Sequence, residues 1–170
     1  ASGWVLEAGS ALSGNDNTDA DPEILVAIGE LSTSIGAADI TEVEMVTTTA
    51  DKSEGFTISV RVRYNEPVDV VTTGGTPTLA VTNDNSGTGS GRGPHSLSYA
   101  SGTGTNELIF SLAIAAANAA TNADDVLSVG AQTIALNSGT IKDASGTASD
   151  AALVISGAVG TAAGTVTVTA

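Results

Sequence analysis

A chain of 170 residues with 41% apolar but only 3% aromatic content bounds one domain whose core is built from Val, Ile, Leu and Ala. Nineteen Asp and Glu against five Lys and Arg leave a net charge of −14. That balance argues against a nucleic-acid backbone, which needs clustered cations, and against anionic lipid. The absence of Cys excludes disulfides, thiolate metal sites and a Cys nucleophile.

Residues 1–38 differ from the rest and read as an N-terminal arm. Ala1-Ser2-Gly3 fits a start left by removal of an initiator Met or by signal cleavage. Trp4, Val5 and Leu6 form an apolar extended segment. Asn15-Asp16-Asn17-Thr18-Asp19-Ala20-Asp21-Pro22 is a polar loop, and Glu23 to Ile28 an apolar run short enough for a strand or a helical stretch. From Ile40 the pattern sharpens. Val43 and Met45 alternate with Glu42 and Glu44. Phe56, Ile58, Val60, Val62 and Tyr64 alternate with Thr57, Ser59, Arg61 and Arg63, a period of two over nine residues that predicts a strand with one buried and one wet face.

Further strands are expected at 78–82, 96–100, 107–114, 132–136 and 151–155, and a last one in the tail at 164–169. Turn signals separate them at Thr73-Gly74-Gly75, Ser101-Gly102-Thr103-Gly104 and Asn137-Ser138-Gly139. Residues 83–94 have the most flexible composition, and the Ala-rich 115–125 reads as a crossover between sheets. The expected fold is all-β, an antiparallel sandwich over 39–156 with a terminal strand and tail over 157–170. The expected core contains Phe56, Ile58, Val60, Val62, Leu108, Phe110 and Leu112. No run of about 18 apolar residues is present to span a membrane as a helix.

Catalytic chemistry is sparse. The single histidine, His95, ends the Gly-rich stretch and reads as a solvent-exposed loop residue; no G-x-S-x-G elbow accompanies it. The glycines at 87–93 and 102–104 lack the Gly-Lys-Ser/Thr of a nucleotide loop and read as hairpin turns needing positive φ. The acid pairs Glu42 with Glu44 and Asp124 with Asp125 are formal candidates for glycoside hydrolysis, but few aromatic platforms accompany them. No catalytic residues are assigned and no enzyme is expected. Calcium is the one ligand worth naming. Asn15, Asp16, Asn17, Asp19 and Asp21 could offer oxygens from one loop, with Asp124, Asp125, Asp143 and Asp150 as further donors. The competing reading, in which these side chains cap turns, is preferred, so no cofactor is assigned.

Four ordered motifs carry a resemblance: Tyr64-Asn65-Glu66-Pro67-Val68, Gly75-Thr76-Pro77-Thr78-Leu79, Tyr99-Ala100-Ser101-Gly102-Thr103-Gly104-Thr105-Asn106-Glu107-Leu108-Ile109-Phe110, and Leu136-Asn137-Ser138-Gly139-Thr140-Ile141-Lys142-Asp143-Ala144-Ser145-Gly146. Residues 40–155 resemble the immunoglobulin-like repeats of bacterial cadherin-like and hemolysin-like adhesins. The resemblance implies an immunoglobulin-like β-sandwich with no catalytic residues to transfer, in which the strand at 40–46 neighbours that at 56–64 and pairs Glu42 or Glu44 with Arg61 or Arg63. As a single unit with its own arm, the chain also resembles bacteriophage decoration and tail proteins. The expectation is therefore a structural protein of a virion, most simply a capsid decoration protein. Trp4, Val5, Leu6, Ile24, Leu25, Val26 and Ile28 would bind the major capsid protein or copies of the chain itself. The rival expectations are an extracellular adhesin module or surface-filament subunit and, behind it, a carbohydrate-binding module. Neither nucleic-acid binding nor membrane insertion is expected.

Overall fold

The computed structural model describes residues 2–6, 23–28, 37–85, 94–117, 121–144 and 148–170. The chain forms two compact units, Ala1–Gly36 and Ala37–Ala170. In the first, β1 (Ser2–Leu6) and β2 (Glu23–Ile28) form a two-stranded antiparallel sheet. The apolar run at 23–28 is thus a strand. The register sets Trp4 opposite Val26 and Val5 opposite Ile24, with an irregularity between Trp4 and Val5.

Among its described residues the second unit is all-β apart from one short helix. Its elements are β3 (Ile40–Met45), β4 (Ala50–Asp51), β5 (Phe56–Val71), β6 (Thr78–Asn85), β7 (His95–Ser101), β8 (Thr105–Ile114), β9 (Asp125–Ser128), β10 (Gln132–Thr133), β11 (Thr140–Asp143), β12 (Val154–Ile155), α1 (Gly157–Ala162) and β13 (Thr165–Thr169). Nine strands form one sheet in the order β11-β5-β8-β7-β6-β9-β13-β4, with β3 also on β5; β10 and β12 make a separate small pair. Among the described residues all pairings are antiparallel except β13 with β4, where Val168 lies beside Ala50. That parallel step departs from the purely antiparallel expectation. It arises because the chain's last strand closes against one of its earliest.

β5 is sixteen residues long, not nine, and its inward set runs without a break from Ile58 through Val60, Val62, Tyr64 and Glu66 to Val68. Its first half pairs with β3 (Val43 opposite Val62) and its last with β11 (Ile141 opposite Val70). The other edge pairs with β8, in a ladder that is irregular between Arg63 and Val68. Pro67 sits in that irregular stretch. A proline has no N–H for a ladder and is tolerated where pairing lapses. Its carbonyl still accepts from the Ala144 amide at 3.0 Å.

The core is aliphatic, as the composition requires. Ile58, Val60, Val62, Leu108 and Phe110 are all fully buried, while Phe56 and Leu112 are half-buried at its margin. Tyr64 is also buried, with its hydroxyl donating to the Ala152 carbonyl at 3.1 Å. Tyr99 stacks edge-on against Phe110 at 6.1 Å, a favoured aromatic geometry.

Three features depart from the sequence reading. The strand expected at 132–136 shortens to Gln132–Thr133, with a bridge from Ala135 to Thr78; that expected at 151–155 shortens to Val154–Ile155. A strand at Asp125–Ser128, where the sequence suggests only the end of a crossover, fills the gap between β6 and β13. Residues 157–162 form α1, capped by the Ser156 hydroxyl accepting from the Val159 amide at 3.3 Å. Gly160 is buried there, and a Cβ would overlap the Gly130 carbonyl oxygen.

Truncating Phe110 to Ala should lower unfolding stability by about 3–5 kcal/mol, since the side chain is fully buried. Val154→Ala, at 66% exposure, should change it by no more than about 0.5 kcal/mol. Denaturant melts of both variants check the pair. Comparable losses would mean that the inward and outward sets have been confused.

Candidate functional site

The outer face of β3, β5 and β8 carries the densest charge among the described residues. Period-two alternation sends Glu42, Glu44, Arg61, Arg63 and Glu107 away from the core, and the registers set Glu42 and Glu107 opposite Arg63, and Glu44 opposite Arg61. Arg61 pairs with Glu44 through Nη2 and lies 3.6 Å from Glu107 through Nη1. Arg63 reaches Glu42 at 2.6 Å and Glu107 at 2.6 Å. Five side chains thus form a ladder of alternating sign across three strands, and the expected pairing of Glu42 or Glu44 with Arg61 or Arg63 is met by Glu44 with Arg61 and Glu42 with Arg63. The sequence reading does not include Glu107. A signal for it exists, because Glu107 starts the outward set of β8, but its partner strand cannot be known before the register is.

Arg63's hydrogen bond holds the Glu107 carboxyl below the usual carboxylate range, and Glu107 in turn raises the Arg63 guanidinium. The formal hydrolytic pair, Glu42 and Glu44, is occupied by arginines. Beside these acids, between β3 and α1, lies a groove of about 410 Å³ lined by Thr41, Glu42, Val43, Glu44, Ala158, Val159 and Ala162. The Met45 amide donates to the Ala163 carbonyl at 2.8 Å, so the end of the helix is tied to the strand edge it covers.

The motif residues meet one another. The Thr78 amide donates to the Ala135 carbonyl at 2.8 Å, and the Asn137 side-chain amide donates to the Thr76 carbonyl at 2.9 Å. A Cβ at Gly75 would overlap the Asn137 carbonyl oxygen. Gly75-Thr76-Pro77-Thr78 and Asn137-Ser138-Gly139 are thus packed backbone to backbone, and Gly75 permits that approach. Gly102 and Gly104 have positive φ in the β7–β8 turn, as a hairpin reading requires. The Thr103 amide there donates to the Tyr99 hydroxyl at 2.8 Å.

His95 is not an exposed loop residue. It is the first residue of β7, 7% exposed, and paired with Val81 of β6. Its Nε2 lies 3.3 Å from the Thr121 hydroxyl, itself fully buried. Burial pushes the imidazole below its ordinary value, partly offset by the negative charge of Asp125. The glycines before His95 suggest a loop, whereas inward position on a strand is decided by register.

Asp125 is 1% exposed and accepts from the Asn122 amide at 2.7 Å. Asp143 is also buried, and Asp150 is held by Lys142 at 3.0 Å. Among the described residues no three His, Asp or Glu are placed to share a metal ion. The loop acids Asp16, Asp19 and Asp21, with Asn15 and Asn17, lie outside the described residues. Of the partner-binding set, Trp4, Val5 and Leu6 fall on β1, and Ile24, Leu25, Val26 and Ile28 on β2. Among the described residues no helix is long and apolar enough to cross a membrane.

Protonation of Glu107 should occur at lower pH than for an unpaired glutamate. Its contribution to the ladder is therefore present at neutral pH and lost as pH falls through its lowered value. Carboxyl NMR should show this titration moving back up in Arg63→Gln, and in wild type as salt rises toward about 1 M, where screening reaches a few ångström. An unchanged Glu107 titration in Arg63→Gln would mean that the ladder does not persist in solution.

Set against known protein families, curated proteins and solved structures, the chain matches none.

Proposed function

We propose that this protein is a non-enzymatic structural component of a bacteriophage particle, an immunoglobulin-like β-sandwich that decorates the capsid and attaches through its N-terminal unit. The observation that carries this reading is the two-stranded unit β1–β2. An isolated two-stranded sheet is marginally stable in water. Its strands read Ser-Gly-Trp-Val-Leu and Glu-Ile-Leu-Val-Ala-Ile, more apolar than a solvated hairpin calls for. A partner surface such as the major capsid protein, or a second copy of the chain, would pack against these strands, with Trp4 as the aromatic anchor. The motif residues support a structural role for the larger unit, because they are spent on backbone-to-backbone closure at Gly75, Asn137 and Gly139.

The test is where the protein resides and what holds it there. Antibody to this chain should label density-purified phage particles and not the cell envelope of the producing culture; enrichment in the envelope would favour the adhesin or filament reading and overturn this one. Deleting residues 1–36 should leave residues 37–170 folded by circular dichroism but absent from particles, and Trp4→Ala should lower occupancy. Normal occupancy of the deleted protein would show that attachment lies elsewhere.

A further inference from the structure

Among the described residues β3 pairs with β5 and with no other strand. Two amide bonds show how its backbone is turned. The Val46 amide donates to the Ser59 carbonyl at 2.9 Å, so even-numbered residues here point their N–H and C=O toward β5. The Met45 amide donates the other way, to the Ala163 carbonyl just past α1 at 2.8 Å. Successive residues of an antiparallel strand alternate in this respect, so Val43, like Met45, turns its N–H and C=O away from β5. No backbone partner for either group of Val43 is found among the described residues. An unpaired edge of this kind is a template for another strand, and a helix laid over it is one way of blocking it. Here the helix stands off. The groove of about 410 Å³ has β3 from Thr41 to Glu44 as one wall and Ala158, Val159 and Ala162 of α1 as the other. Four strand residues make about 13 Å of open edge. Ala158 and Ala162 are small and exposed, and Val159 is half-buried, so the helix wall is low and apolar.

We propose that the groove between β3 and α1 is a strand-addition site that takes an extended basic segment of another protein. Main-chain hydrogen bonds to Val43 would hold such a segment, and its alternate side chains would be read on two sides. Those opposite Val43 face the apolar wall of α1. Those opposite Glu42 and Glu44 share the outer face with these carboxylates, whose side chains are 50% and 45% exposed. A cation opposite a glutamate favours pairing and a like charge disfavours it. The groove is lined by two carboxylates and by no Lys or Arg. The ladder behind it holds three glutamates to two arginines, in a chain of net charge −14. The occupant is therefore basic at alternate positions and small or apolar between them. A second copy has no such segment to offer. The chain has five Lys and Arg in all, and its one alternating basic run, Arg61-Val62-Arg63, lies in β5, which is paired on both edges there. The site does not depend on the attachment assigned to β1–β2.

The probe is a blocked pentapeptide, Lys-Val-Lys-Val-Lys, titrated into the full chain at low salt and followed by amide NMR. Saturable shifts should appear at Val43, Ala158, Val159 and Ala162, and hydrogen exchange at the Val43 amide should slow. The acidic counterpart Glu-Val-Glu-Val-Glu should leave these signals unmoved. Glu42→Gln and Glu44→Gln should each weaken binding by about two- to fivefold, the range of one cross-strand charge pair. Ala158→Trp, at an exposed position, should fill the groove and abolish the shifts while the remaining amide spectrum stays in place. Absence of binding by the basic peptide overturns the proposal, as does equal binding by the acidic one. Shifts that avoid Val43 and α1, or that survive both charge variants, overturn it too. Concentration-dependent protection of Val43 without any peptide would mean that a second copy takes the edge, and the proposal fails. If Ala158→Trp does not fold, the two peptides and the charge variants still decide.

Discussion

The single strand β5 is the constraint on which the larger unit depends. Sixteen residues keep one inward set from Ile58 to Val68 while the strand changes partners on one edge, from β3 to β11, and keeps β8 on the other. A slip of one residue anywhere along it would turn the whole inward set out to solvent. The change of partner occurs at 65–67. There the Asn65 side chain accepts from the Asp39 amide at 2.8 Å and the Asn65 amide donates to the Asp39 carbonyl at 3.0 Å. Pro67 falls in the same stretch, where the β8 ladder is irregular. The joint is therefore held by side-chain and loop hydrogen bonds where a regular ladder lapses.

Charge and polarity are then distributed by face. The outward set of β3, β5 and β8 gathers two of the chain's few arginines between three glutamates, so a strongly acidic protein has a locally balanced stretch on that sheet surface. Such exposed pairs contribute little to stability and more to register, because like charges directly opposite would disfavour the pairing. The opposite treatment is seen between β6, β7 and β9, where polar groups are taken inside. Burial there makes each hydrogen bond consequential.

These arrangements bear on function through what the residues are already doing. Glu42 and Glu44, the formal candidates for glycoside hydrolysis, are bound to arginines. Of the glycines weighed as a phosphate cradle, Gly102 and Gly104 serve a turn at positive φ, and those at 87–93 lie outside the described residues. The apolar composition of β1 and β2 is more than a two-stranded sheet can bury by itself, and for that reason the proposed attachment is placed on the first unit.

Alternation alone settled the all-β class and the inward faces of β5 and β8. These follow from a side-chain period of two, which is written locally in the order of residues. The rest was decided by pairing partners far apart in sequence. Glu107 joins the ladder, and His95 enters the interior, because of which residues of another strand they face. β9 exists as a strand because β6 and β13 flank it. Gly157–Ala162 is a helix although glycine and alanine carry no amphipathic signal there; a Ser156 cap and the close approach of Gly160 to Gly130 settle it. The sequence by itself determined which residues could share a face. Only the tertiary structure decided which faces meet, because backbone hydrogen bonds between strands are blind to side-chain identity and their register is set by the packing of the whole unit.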